Sequence, residues 1–562
     1  MTAAASQLLP PPTSEPTSAD SATSLAALWD ARFEWLSERL NPIVVKEARQ
    51  ALKSRQFTVT FSLLLVFGAC WTALGVAIQM PGVFYTPSGP FMVAGYYVIL
   101  AVPLLIIVPF VAFRSLAAER EDGTFELLSI ATLTARQIVV GKLASAVLQM
   151  AVYYSAIAPC IAFTYLLRGL DIVTIALMLW YLFLASTFLS SLGLALATVT
   201  KERHWQVLLS VILVAGLVLN FWMWLFGMNA LFDWLPNAGM YVEANFWTRN
   251  AVILGFHATS VTLFILVGAG QISFASDNRS TPIRRLVALQ VAMLFGWLLY
   301  EMSASVENCR EIFVVGTVMT LVYCWTVGSF LVGEHAELSP RVRRQLPQSF
   351  IARVLLTWFN PGSGTGYFFT LINLGLALVA MLVSVYRLEW MFATAVRPWN
   401  AGNIEEFALA AWLYMVCYLG VGRLIVLAAG NRVPNGVVFS FLMQVVLVTF
   451  GTLIPLVIQF SLFYTHDAEY TPLQATNPFW TLAEIVSSSR YTGYYTVSLL
   501  FLTAFAALMV LIHFFSTVRE IEQTRMSAPQ RVLEEEAAFL AARTPVRKKN
   551  PWDEPAVRKP QA

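Results

Sequence analysis

Charge is what this chain lacks most. Asp, Glu, Lys and Arg make up 12% of its 562 residues, against about 25% in a typical soluble protein. Hydrophobic residues reach 58% and the mean hydropathy is +0.66. A water-facing surface cannot be built from so few charges, so an ordinary soluble domain is excluded. Uncharged runs such as Phe57–Met80 and Phe91–Phe113 exceed the roughly 20 residues needed to cross a bilayer.

Other absences narrow the function. The cysteines are Cys70, Cys160, Cys309, Cys324 and Cys417. They are scattered, odd in number and without zinc spacing, which argues against a disulfide framework and a metal site. They read as small buried residues. The net charge of +3 is too small to point to nucleic acid. No phosphate loop of the form G-x-x-x-x-G-K-[ST] is present. In "VVGKLAS" (139–145) Leu143 follows Gly141 and Lys142, and "NPGSGTGYFF" (360–369) has no lysine. The latter reads as a flexible loop entering a helix. No H-E-x-x-H and no nucleophile elbow occurs, so no catalytic residue and no cofactor is assigned to this chain.

The apolar runs also lack internal ionisable groups, which in membrane proteins mark ion pathways. Arg423 lies near one end of its run, where it can snorkel. Glu301 is at an end, and His257 and His513 are isolated and read as packing residues. Coupling to an ion gradient therefore has little support, and a transporter of this composition needs another energy source.

What is present is a set of twelve continuous apolar runs, near 57–80, 91–113, 143–167, 172–199, 206–230, 251–273, 284–303, 312–333, 367–386, 407–429, 435–460 and 491–517. They do not alternate, so they read as helices and not as barrel strands. The seventh is short and relies on Arg284 and Arg285 snorkelling at one end. With the N-terminus in the cytosol, thirty of the 36 basic residues fall on the cytosolic side, as the positive-inside rule requires. The expected fold is an all-α, polytopic membrane protein of about twelve transmembrane helices, with both termini cytoplasmic.

Residues 1–40 read as a disordered cytosolic tail, rich in Ala, Ser, Thr and Pro. The tail 518–562 contains "APQRVLEEEAAFLAAR" (528–543), which reads as a helix, followed by a disordered basic end.

Two cytosolic elements stand out. In "NPIVVKEARQALKSRQF" (41–57), Asn41 can cap a helix and Pro42 suits its first turn. Val44, Val45, Ala48, Ala51 and Leu52 share one face, while Lys46, Arg49 and Lys53 share a neighbouring one. This pattern predicts an amphipathic helix on the membrane surface, the alternative being an extension of the first span. The second element is "AEREDGTFELLSIATLTARQ" (118–137). Asp122-Gly123 breaks the helix leaving span two, and Thr124 can cap a short apolar helix with Glu126 in its first turn. Thr134 to Gln137 has capping-box spacing and starts the next helix. The pattern predicts a hairpin projecting into the cytosol, either as a docking knob or packed against the chain's own loops.

In type, order and topology, residues 41–273 resemble the permease subunits of ATP-binding-cassette transporters of the type-2 export family. The resemblance rests on "NPIVVKEARQALKSR", then "EREDGTFELL" (119–128) between spans two and three, then "RQIVVGK" (136–142). It implies that the short helix is a coupling helix docking in a separate ATPase subunit. It places Glu119, Glu121, Asp122, Gly123, Thr124, Phe125, Glu126, Leu127, Leu128 and Arg136 at that interface, with Pro42, Lys46, Arg49 and Lys53 on the membrane-surface helix. ATP and magnesium would belong to the partner.

The expected organisation is a six-span unit over 41–273, carrying interfacial helix 41–56 and coupling hairpin 114–142, and a second six-span unit over 274–517. The loop 333–366 occupies the place of a second coupling region, but it is basic and lacks "GTxELL". A true internal repeat and a chain needing a homodimer or second permease both stay open. "NPFWTLAEI" (477–485) resembles the segment preceding the family's last span. The expectation is a multi-pass protein of a bacterial plasma (inner) membrane, exporting a substrate the sequence does not name. The alternatives are an ATP-independent secondary transporter or flippase, and a non-transporting scaffold of an envelope assembly.

Overall fold

The computed structural model describes residues 42–121, 134–200, 203–234, 241, 244–273, 278–335, 343, 346, 349, 351–353, 358–391, 404–432, 435–463, 470–487, 494–524 and 529–543. Among these no strand occurs, and twelve helices are long and apolar enough to cross a membrane. The protein is an all-α, multi-pass membrane protein. Expected tails 1–40 and 544–562 lie outside the described residues.

The chain divides into two compact units, Met1–Phe274 with Arg279–Tyr300, and Ala275–Asn278 with Glu301–Ala562. In the first, α1 (Pro42–Lys53) precedes the first span, α2 (Arg55–Gln79). Ser54 separates them: its backbone is extended, at φ −68° and ψ 141°, and its hydroxyl caps α2 by accepting from Phe57 N. Helix α1 is thus a separate element and not an extension of the span.

The second span consists of α3 (Gly89–Val102), a π turn (Pro103–Ile107) and α4 (Val108–Glu121). Pro103 has no N–H to give the helix ladder, and wide turns of this kind relieve the resulting mismatch. Ser186 Oγ uses the region by donating to Leu104 O at 2.6 Å. Helix α4 runs to Glu121, where the sequence places a break at Asp122-Gly123. The third to sixth spans are α5 (Ala135–Leu166), α6 (Ile172–Ala197), α7 (Arg203–Trp234) and α8 (Ala244–Ile272). Arg279 and α9 (Ser280–Ala304) as far as Tyr300 also group with this unit. Gln290 Nε2 on α9 donates to Ser260 Oγ on α8 at 2.9 Å. The break between units therefore falls about one helix later than the apolar pattern indicates. Snorkelling accounts for Arg285, which is exposed, but not for Arg284, which is buried.

The second unit contains α10 (Cys309–Leu331), α11 (Ser363–Met391), α12 (Ile404–Ala429), α13 (Gly436–Phe463), the short α14 (Pro478–Ser487) and the last span, α15 (Tyr494–Thr524). Helix α16 (Gln530–Arg543) follows, within the expected 528–543.

Spans two to six of the first unit and the five spans of the second share a packing order, while the first span, α2, which packs on the second span and on α5, stands outside the match. In the first, the second span packs on α5, α6 and α7, α5 packs on α6 and α8, and α6 packs on α7 and α8. In the second, α10 packs on α11, α12 and α13, α11 packs on α12 and α15, and α12 packs on α13 and α15. Every pairing in one set has its counterpart six spans away. Small residues permit the close approaches: a Cβ on Gly193 of α6 would lie 2.9 Å from Pro109 O of α4.

Candidate functional site

The expected hairpin has two stems, α4 and the start of α5. The start of α5 is set by sequence. Thr134 accepts from Gln137 N through its hydroxyl, and the Gln137 side chain accepts from Thr134 N at 2.8 Å. Both halves of the capping box are therefore formed. One turn further along, Ile138, Val139 and Lys142 turn inward. That brings the Lys142 ammonium under α1 and beside the end of α4.

Lys142 Nζ lies 3.1 Å from Glu119 Oε2 and 3.2 Å from Glu47 Oε1, with 1% of its side chain exposed. It also donates to Ser115 O at 3.1 Å. Lys46 Nζ approaches the other Glu119 oxygen at 3.7 Å from an exposed position. Two ammonium groups and two carboxylates thus balance, and they join three segments: α1, the last turns of α4 and the first turns of α5. An uncompensated ammonium in such a place would be costly, so the carboxylates on both neighbours are a requirement of burying Lys142. Arg120 fixes α4 on its other side, donating to Thr198 O at 2.5 Å and Thr200 O at 3.3 Å. The freed carbonyls at the end of α6 gain a cationic donor, which suits the negative helix terminus.

The residues expected at the docking interface divide as follows. Glu119 is at the hairpin root, engaged with Lys142 and Lys46. Glu121 closes α4. Arg136 is exposed on the first turn of α5. Asp122, Gly123, Thr124, Phe125, Glu126, Leu127 and Leu128 lie outside the described residues. On α1, Pro42 begins the helix, and Lys46, Arg49 and Lys53 are exposed. The expected apolar face is half-buried, while Ile43 and Glu47 are the buried positions. Helix α1 packs on α5 as well as α2. Sequence reading missed Glu47 and the burial of Lys142. Their charges are visible in the sequence, but nothing local there pairs Lys142 with Glu47, 95 residues away.

A second polar group sits in the second unit and corrects three expectations. Arg423 does not snorkel; it is fully buried. Its Nε donates to Ser363 Oγ at 3.2 Å, Nη1 to Thr517 Oγ1 at 3.0 Å and to His513 Nδ1 at 3.1 Å, and Nη2 to Glu520 Oε2 at 3.2 Å. His513 is therefore not isolated. Since a guanidinium only donates, Nδ1 must accept, so the proton is on Nε2 and donates to Gly420 O at 2.9 Å. The glycine-rich stretch is not a loose entry loop either. Gly364 N donates to Glu520 Oε2 at 3.1 Å. The guanidinium thereby joins α11, α12 and α15.

Beyond α13, Asn477 caps α14 by accepting from Trp480 N at 3.2 Å. Tyr470 OH donates to Ser498 Oγ at 2.8 Å, and Gln474 Nε2 donates to Gln459 Oε1 at 2.7 Å. The segment around "NPFWTLAEI" is thus tied to α13 and α15 by side-chain amides and hydroxyls.

Among the described residues no group of three or more His, Cys, Asp or Glu is arranged to hold a metal ion. In comparisons with known proteins, no family model, no curated protein and no solved structure matches this chain.

Proposed function

We propose that this chain is the membrane permease of an ATP-driven exporter, powered by a separate ATPase subunit that docks on the segment between α4 and α5. The observation that carries the reading is the Lys142 cluster. It ties both stems of the expected hairpin to α1, so a push on the tip would move three helices together. A lever needs such a stiff root, whereas a passive connector does not. The docking surface is then Glu121 to Leu128 with Arg136, and Glu119 belongs to the root. The resemblance of "EREDGTFELL" and "RQIVVGK" to type-2 permeases supports the same reading. ATP and magnesium would be held by the partner.

The matched packing order of the two units supports a chain that carries two permease-like bundles. The test is recovery from the native membrane. The tagged chain is expected to bring down an ATPase, and the purified chain alone to hydrolyse no ATP. Absence of any nucleotide-binding partner would overturn the proposal.

A second reading, an ion-coupled transporter, gains one observation. The second unit does hold buried ionisable groups, Arg423 and His513, linked to Glu520. Such groups mark ion pathways in other membrane proteins. Proton-dependent or sodium-dependent uptake by the chain alone in liposomes would favour this reading over the first.

A further inference from the structure

We propose that a groove between α5 and α6 binds the acyl chain of a membrane phospholipid. The groove has a volume of about 420 Å³ and is lined by side chains of these two helices alone. That volume is within the roughly 300–1,000 Å³ of small-ligand sites.

Its shape follows from the sequence. Tyr154, Ala158, Ile161, Ala162 and Tyr165 of α5 recur at helical spacing and face Ile172, Ile175 and Leu179 of α6. Ala158 and Ala162 are short, so the wall between the longer side chains is recessed. Ile161 and Ile175 are buried and form the floor. The inner end is closed where Tyr154 OH donates to Leu179 O at 2.8 Å. At the other end, Tyr165 and Ile172 are 53% and 66% exposed, so the groove opens beside the α5–α6 turn.

The length decides the occupant. From Tyr154 to Tyr165 is eleven residues, or about 16 Å along a helix. Half of a hydrocarbon core of about 30 Å is nearly the same. The groove therefore runs from an interface to mid-membrane, the path of one acyl chain in one leaflet. A polar solute would find few hydrogen-bonding partners, because the two hydroxyls at the inner end, Tyr154 and Ser155, already donate to Leu179 O and Val152 O, each at 2.8 Å. The turn carries Arg168, exposed, at the level of a phosphate headgroup.

The test uses the full chain in lipid nanodiscs with a phosphatidylcholine bearing a photoactivatable group near its acyl terminus. Cross-linked peptides are mapped by mass spectrometry. Residues 150–180 are expected to be labelled well above the bare face of α13 near Val457 and Phe460, which are 65% and 52% exposed. Ala158→Phe with Ala162→Phe should fill the recess and reduce that label to the α13 level. Ala158→Leu should reduce it partway. Equal labelling of groove and α13 in the unaltered protein would overturn the proposal, whether or not the filled variants fold. So would labelling that survives filling in a protein whose α13 labelling is unchanged.

Discussion

Lys142 and Glu119 meet at 3.1 Å across the root of the segment that joins the second and third spans. One residue comes from each stem, and Glu47 of α1 completes the site at 3.2 Å from the same ammonium. Lys142→Met removes the shared cation and leaves two carboxylates facing each other. Breaking a buried pair costs about 3–5 kcal/mol, and the low end applies because Glu47 and Glu119 keep 12% and 18% of their side chains exposed. Glu47→Gln leaves Lys142 its second carboxylate and should cost less. Thermal denaturation of the detergent-solubilised protein checks the order; greater loss in Glu47→Gln would contradict the assigned cluster.

The proposed docking surface makes a separate demand. Glu126→Lys with Leu128→Asp changes charge and apolarity on the segment while leaving Lys142, Glu119 and Glu47 in place. Membrane insertion and melting behaviour should be unchanged. Association with the ATPase should weaken by about 2 kcal/mol or more, ~30-fold, as for an interface hot spot. Co-purification at fixed stoichiometry reads it. Full association in the double variant would move the interface elsewhere.

Arg423 offers a contrast in kind. Its guanidinium reaches acceptors on α11 and α15 in several directions at once, which a lysine cannot do. Arg423→Lys should therefore be nearly as damaging as Arg423→Met, each costing about 3–5 kcal/mol in the second unit. Limited proteolysis across 358–391 and 404–432, compared with the first unit, would show it. Full tolerance of lysine would mean that charge alone, and not the forked geometry, is needed.

These sites show why some of the molecule was legible in the sequence and some was not. Membrane spans announce themselves locally, since about 20 apolar residues in a row have few other uses. The capping box at Thr134 and Gln137 is likewise local, three residues apart. Arg423 has partners at Ser363, His513, Thr517 and Glu520, up to 97 residues away. A cation near the end of an apolar run looks the same whether it reaches for water or for a carboxylate on another helix. The repeated packing order was hidden for a related reason. It resides in which helices touch, and the second unit does not repeat the "GTxELL" motif.

Asp171 gives a pH-dependent prediction outside the spans. It caps α6, accepting from Thr174 N at 3.3 Å. Burial pushes its carboxyl up, but bonds from Thr174 and Tyr241 together outweigh this and hold it below its ordinary value of 3.8. A lowered folded-state value means the ionised form stabilises the fold above the unfolded value, and that this contribution fades as pH falls through the folded value. Asp171→Asn should thus melt below the native protein near neutrality, and the gap should close on acidification below pH 3.8. A gap that widens in acid would reverse the assignment.

Gly364 tests how tightly the Arg423 group is packed. A Cβ there would lie 2.3 Å from Thr517 Oγ1, 2.6 Å from Arg423 Nη2 and 2.8 Å from Glu520 Oε2. Nη2 donates to Glu520 Oε2, and Thr517 Oγ1 accepts from Nη1 of the same guanidinium, so none of the three can withdraw without disturbing the arginine. Gly364→Ala is expected to cost about 1–3 kcal/mol through overpacking. Thr517→Ala removes the nearest obstacle, so the double variant should lose less than the sum of the single losses, as contacting residues do. Gly216 on α7 serves as the control, because nothing lies within 4 Å of its added Cβ. There alanine only improves helix propensity, by up to about 1 kcal/mol, and the melting temperature should hold or rise. If both glycines tolerated alanine equally, Gly364 would not be shaped by the buried arginine, and the three-helix junction would be looser than its bond lengths indicate.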